Sequence, residues 1–200
     1  MNHVYVIDDN VEVASSLSAT LQRLGFSTEV YNDPVVFLQQ SLPLSPAAIL
    51  LDMRMPSMTG VALQKRLLEI GRKTPIIFIS GDSQPQEIIE GMKQGAVDFL
   101  IKPFNLEELL TALQAALDKD RANTQSLLVQ MSLQERYNSL TTREKEVCAF
   151  LVKGALSKAI AVALGISEAT VKVHKSRIME KMQASSLQQL ARDMLQLAPS

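Results

Sequence analysis

Pro75-Ile76-Ile77-Phe78-Ile79-Ser80 is apolar at every position but its last. A strand with one wet face alternates in polarity, whereas an unbroken apolar strand is buried on both faces, as in a parallel sheet covered by helices on each side. Outward from this run, short apolar stretches recur at residues 4–7, 27–31, 48–51 and 97–101. Segments of helical period lie between them at 11–24, 34–41, 60–70 and 84–94, and another follows at 106–117. Gly25, Gly71 and Gly95 fall just past three of these segments, where a helix commonly ends on a residue with positive φ. The expectation is five βα units forming a doubly wound parallel sheet.

Parallel strands that alternate with helices place their carboxyl ends on one edge of the sheet. Asp8-Asp9 ends the first run, Asp52 the third, Ser80 the fourth and Lys102-Pro103 the fifth. Three carboxylates, a hydroxyl and an ammonium are therefore expected to share one pocket. Neighbouring like charges raise one another's pKa unless a cation or hydrogen bonds compensate, and a divalent metal is the natural partner. Taken singly, the residues have plainer readings: Asp8-Asp9-Asn10 can cap the following helix, and Lys-Pro is common in turns. Their conjunction at successive strand ends favours a site. Met53, Met55 and Met58 read as packing residues around the loop after Asp52.

Charge divides the chain. Residues 1–130 carry 10 Lys and Arg against 15 Asp and Glu, while residues 131–200 carry 10 against 6, an asymmetry hidden in the overall net charge of −1. A basic second half suggests a polyanionic partner. Cys148 is the only cysteine, so an intramolecular disulfide is excluded and a reducing compartment fits. The first ten residues lack a basic segment leading into an apolar one, and no apolar run reaches membrane-spanning length. A cytoplasmic protein with no membrane contact is expected. Between Pro103 and Gly154 there is neither Gly nor Pro. Leu106, Leu109, Leu110, Leu113 and Leu117 keep a helical stripe, resumed by Leu127, Leu128 and Met131 after a polar interval at 118–126. Helix is expected across much of this connection, against the alternative of a frayed polar segment.

The second half reads as four helices: one at 144–152 capped by Thr141 or Thr142, then 157–164 stopped by Gly165, then 168–182 capped by Ser167, and a last at 187–195. Helix, Gly-containing turn and helix is the helix-turn-helix arrangement. On the third, Val171, Ile178 and Met182 sit at core spacing, while Ala169, Lys172, Val173 and Ser176 form another stripe. Val173 among polar residues suits a major groove, where it can touch a thymine methyl while Lys172 reaches a guanine edge or a phosphate. His174 is expected to face the DNA backbone or to be half-buried, with no second His or Cys near it to make a metal site.

Asp8-Asp9, Asp52 within Leu51-Asp52-Met53-Arg54-Met55-Pro56-Ser57-Met58-Thr59-Gly60, Ser80-Gly81 and Lys102-Pro103 together resemble the receiver domain of bacterial two-component response regulators. The resemblance implies a flavodoxin-like fold and transfer of a phosphoryl group from a histidine kinase onto Asp52. It implies Mg²⁺ (or Mn²⁺) held by Asp9, Asp52 and the backbone carbonyl of Arg54, with Asp8 acting through water. By the same resemblance Lys102 pairs with Asp52 and then with phosphate, Ser80 donates to another phosphate oxygen, and Phe99 is the aromatic whose rotamer follows phosphorylation. A plain core Phe is the alternative for Phe99. The run Gly81-Asp82-Ser83-Gln84-Pro85-Gln86 departs from the Gly-His-Gly-Asp-like run of relatives.

Leu140-Thr141-Thr142-Arg143-Glu144, Leu164-Gly165-Ile166-Ser167 and Thr170-Val171-Lys172-Val173-His174 resemble the LuxR-type DNA-binding domain. The two halves together resemble FixJ/NarL-type regulators, the FixJ branch being favoured by Asp52-Met53-Arg54-Met55-Pro56 and Ile178-Met179-Glu180-Lys181-Met182. The implied organisation is a receiver at 1–120, a mostly helical linker at 121–136 and a four-helix DNA-binding domain at 137–200. A homodimer formed on phosphorylation would bind double-stranded promoter DNA, with RNA polymerase a further candidate partner. Lys172, Val173 and Ser176 are expected to face bases, and Arg143, Lys158 and Lys175 phosphates. Some resemblance to regulators of tetrathionate or related sulfur-oxyanion respiration suggests a stimulus class. A regulator rather than an enzyme is expected; the alternatives are a DNA-binding protein controlled without phosphorylation and a phosphatase using Asp52 as nucleophile.

Overall fold

The computed structural model of the 200-residue chain describes residues 2–40, 46–81 and 84–197. Two compact units divide at Thr124 and Gln125. In the first, strands β1 (His3–Ile7), β2 (Ser27–Tyr31), β3 (Ala47–Asp52), β4 (Ile76–Ser80) and β5 (Asp98–Ile101) form one sheet in the order β2-β1-β3-β4-β5. Every pairing is parallel. This is the doubly wound order, in which chain direction across the sheet reverses between β1 and β3 and leaves a crevice at their carboxyl ends.

Alternation along the strands sorts side chains to two cores. Val4, Val6, Leu50, Ile77 and Ile79 pack on one face with α1 (Val11–Arg23) and with Leu109, Leu113 and Leu117 of α5 (Leu106–Asn138). Tyr5, Ile7, Ile49, Leu51 and Phe78 pack on the other with Phe37 of α2 (Pro34–Leu38) and Leu63 and Leu67 of α3 (Gly60–Glu69). Both faces of β4 are thus dry. The second helical segment ends at Leu38, short of the expected 34–41; Ser41 lies outside the described residues, as do Asp82 and Ser83 in the run that departs from relatives. Helix α4 (Pro85–Lys93) starts from a capping box between Gln84 and Glu87. It lies so close to β4 that a Cβ on Gly91 would meet the Phe78 ring at 2.5 Å.

Residues 106–138 form one helix, through the polar interval where fraying was the alternative. No Gly or Pro interrupts it. Side chains one turn apart pair at the start of the interval, Gln114 donating to Asp118 at 2.9 Å and Arg121 to Asp118 at 2.6 Å. In the first unit Asp120 accepts the Ala47 N–H at 2.9 Å, and Arg121 donates to Asn2 at 2.7 Å. Burial pushes the Asp120 carboxyl up, and that N–H bond opposes the shift.

The second unit packs α6 (Thr142–Leu151), α7 (Ser157–Leu164), α8 (Glu168–Lys181) and α9 (Leu187–Leu197) around Leu140, Val147, Leu151, Ile160, Val171, Ile178 and Leu190. Thr141 caps α6 reciprocally with Glu144, and Gly165 ends α7 at φ 64°, the left-handed region that favours glycine. Among the described residues, no helix is long and apolar enough to cross a membrane.

Candidate functional site

At the carboxyl edge of the sheet, strand ends bring Asp8, Asp52, Ser80 and Lys102 together. The Lys102 ammonium donates to Asp52 Oδ1 at 2.8 Å and to Asp8 Oδ2 at 3.0 Å. The remaining oxygens are also held: Asp52 Oδ2 accepts the Arg54 N–H at 2.8 Å, and Asp8 Oδ1 the Asn10 N–H at 2.9 Å. Lys102 is placed by its own N–H, which donates to the Ser80 carbonyl at 2.8 Å, and its bond to Pro103 is cis. Asp8 is 5% exposed and Asp52 9%. Burial alone would pull the Lys102 pKa down, but the hydrogen bonds and charges of Asp52 and Asp8 outweigh it and leave the ammonium raised above its ordinary value.

The adjacent acids part company. Asp8 turns inward, Asp9 is exposed, and it is Asn10 that caps α1, accepting from the Glu12 and Val13 N–H groups at 3.1 Å each. Asp8, Asp9 and Asp52 set three acidic groups against the one Lys102 amine at this edge, an excess of acid over base. Hard oxygen donors with that excess suit Mg²⁺, which keeps several waters and takes few protein ligands. Among the described residues, no three acidic, His or Cys side chains are grouped closely enough to hold an ion by themselves. Such a site would accordingly be completed by a main-chain carbonyl and water.

Gly60 contributes what its place in the sequence motif does not announce. A Cβ there would stand 2.6 Å from the Asp52 carbonyl oxygen, so only glycine lets α3 begin this close to the acid-bearing strand end. Met53 and Met55 are buried and Met58 packs beside them, as packing residues. Phe99 is half-buried against the same core and pairs in register with Phe78. Arg54 reaches toward α4, with Glu87 at 3.6 Å. A groove of about 500 Å³ between α1 and α5 opens beside Lys102, with Leu17, Phe104 and Leu109 in its walls.

In the second unit, the stripe on α8 faces outward: Lys172 and Ser176 are exposed and Val173 is 49% exposed, while Val171 and Ile178 are fully buried. Lys175 and His174 are half-buried. Lys158 is exposed in the first turn of α7, whose N-terminus has no side-chain cap, an arrangement that suits an anion. Arg143 also makes bonds within the unit. It pairs with Glu146 at 2.6 Å and donates to the Leu164 carbonyl at 2.5 Å, tying α6 to the end of α7. Lys181 is likewise engaged, 2.6 Å from buried Glu144, and this bond with the Thr141 N–H holds the Glu144 carboxyl below its ordinary range. Arg177, which the stripe of the sequence reading leaves out, is exposed on α8.

Residues 4–114 match the family of the response regulator receiver domain, and residues 138–194 match the bacterial regulatory proteins of the luxR family. The chain is 42% identical over 192 residues to the response regulator protein TodT of Pseudomonas putida, covering 94% of this chain and 83% of that protein. It is 35% identical over 190 residues to the transcriptional regulatory protein FixJ of Bradyrhizobium diazoefficiens, covering 95% and 93%. The solved structure of the response regulator StyR matches with a TM-score of 0.85 at 36% identity, covering 97% of this chain and 98% of that one.

Proposed function

The chain belongs to the two-component response regulators of the FixJ type, transcription regulators with a receiver domain and a LuxR-type DNA-binding domain, and we propose that phosphorylation of Asp52 switches it. The observation that carries this reading is the single Lys102 ammonium spanning Asp8 and Asp52 at the crevice of the sheet. A carboxylate oxygen of Asp52 attacks the phosphorus of a phosphohistidine on a partner histidine kinase. The new P–O bond forms as the P–N bond breaks, and the departing imidazole takes up a proton. Lys102 then turns from the consumed carboxylate charge to a phosphate oxygen, which a compact point charge suits. Ser80 donates to another.

Asp9, Asp52 and the Arg54 carbonyl would hold Mg²⁺ (or Mn²⁺), with Asp8 acting through water. When bound, the ion supplies neutralisation of charge on the oxygens in transfer. Phosphate draws Ser80 inward, Phe99 turns in behind it, and the surface of α4 and β5 is remodelled. Ile89, Met92 and Ile101 stand 53%, 40% and 65% exposed there, an apolar face that suits a second copy. The dimer presents two copies of α8 to promoter half-sites, with RNA polymerase as a further partner, in the cytoplasm. The domain limits are proposed as 1–120, 121–136 and 137–200.

The test is labelling by radioactive acetyl phosphate with Mg²⁺. The chain is expected to take up label and Asp52→Asn to take up none while keeping its circular dichroism; label persisting on Asp52→Asn would move the acceptor elsewhere.

A further inference from the structure

We propose that Arg177 of α8 reads a guanine in the major groove and so helps to set sequence preference, an assignment that rests on the DNA-binding reading above. The positive charge of the second unit is not all available to a polyanion. Lys181 pairs with Glu144 and Arg143 with Glu146, and the Lys145 ammonium lies over the Tyr137 ring, 5.0 Å from its centre. On α8 the exposed cations that remain are Lys172 and Arg177, with Lys175 half-buried. Arg177 makes no hydrogen bond or ion pair with the described residues, so its guanidinium fork is uncommitted.

Its direction fits the groove. With 3.6 residues per turn, Arg177 points about 40° to one side of Val173, whereas Ser176 lies about 60° and Lys172 about 100° to the other. Arg177 therefore shares the sector of Val173 more closely than Lys172 does. Ser176 is too short to reach far into a groove from this half of the helix, while a guanidinium can present two parallel N–H donors to O6 and N7 of one guanine. Exposed Glu180 lies in the same sector, about 20° from Val173. A carboxylate there is repelled by phosphates, so the sector suits base edges rather than the strand backbone.

The experiment uses the full chain treated with acetyl phosphate and Mg²⁺. Duplexes are selected from a randomised pool by the unaltered chain, Arg177→Ala and Arg177→Lys, and affinities for the selected and a scrambled duplex are measured over a salt series. Circular dichroism checks that each variant keeps its helices. The unaltered chain is expected to select a motif with a guanine in each half-site that falls to background frequency with Arg177→Ala. The selected-to-scrambled ratio should fall about 10- to 100-fold per half-site. Arg177→Lys, which keeps the charge without the planar fork, should keep the salt dependence and fail to restore the full ratio. Equal weakening on both duplexes by Arg177→Ala, with a salt slope shallower by about 0.9 per lost contact, would make Arg177 a phosphate contact and overturn the assignment. An unchanged motif would overturn it too. If the unaltered chain selects no motif, the failure lies in the DNA-binding reading itself, and the assignment falls with it.

Discussion

Asp8 and Asp9 are neighbours of one chemistry with opposite surroundings, and this difference organises the site. Both strand faces are buried, so the apolar pattern before them carries no information about which acid turns inward; the contact with Lys102 does. The strand ends were legible because an apolar run stops at a charged or hydroxyl residue. The pairing inside the second unit was not, because Arg143 and Lys181 look in sequence like any other cation of a basic domain. Lys102→Ala leaves two nearly buried carboxylates sharing no cation. It is expected to cost about 2 kcal/mol, given that Lys102 is itself partly exposed, and adding Asp52→Asn should recover part of the loss. Urea unfolding of the single and double variants measures both. Because the folded pKa of Lys102 is raised, its contribution is fully present below the ordinary lysine value and is lost only as pH climbs through the raised one. Glu144 has the opposite sign. Its folded pKa is lowered, so its contribution is present above the ordinary glutamate value and disappears as pH falls through the lowered one. Protection of α6 and α8 amides against hydrogen exchange, taken relative to the intrinsic rate at each pH, should therefore fall on acidification in the unaltered chain, and Glu144→Gln should remove most of that acid dependence.

Among the elements, α3, α4 and α5 are placed by features of different visibility. Positive φ at Gly25, Gly71 and Gly95 follows the helix ends that the sequence marks. Gly60 and Gly91 are different, since close approach to Asp52 and Phe78 is a tertiary fact with no local signal. The unbroken course of α5 is suggested by its lack of Gly and Pro, but the two pairs to Asp118 at the start of the polar interval, and the Asp120 bond to β3, appear only in three dimensions. Gly60→Ala should force the start of α3 away from the Asp52 carbonyl. The expected cost is about 1–3 kcal/mol, as for overpacking elsewhere, together with slower uptake of label from acetyl phosphate. Denaturant unfolding and a labelling time course check the two effects; normal labelling by a destabilised variant would show that α3 can shift without moving the acceptor.

For the whole molecule, acid in the first half and base in the second assign two chemistries to two units by composition alone. What composition cannot reveal is how one would control the other, and the proposed link is the face of α4 and β5, where Ile89, Met92 and Ile101 are exposed. Ile101→Glu should leave labelling of Asp52 intact and prevent the proposed phosphorylation-dependent dimer, as read by sedimentation at micromolar concentrations. An Ile101→Glu chain that still doubles in mass would place the contact on another face. Whether phosphate on Asp52 governs DNA binding is decided by one titration. Affinity for a selected duplex is measured for the unaltered chain and Asp52→Asn, each with and without acetyl phosphate and Mg²⁺. The donor should tighten binding of the unaltered chain alone, leaving Asp52→Asn at the weaker value in both conditions. Equal affinity of the unaltered chain with and without the donor, or tightening of Asp52→Asn by the same factor, would mean that phosphate on Asp52 does not govern DNA binding.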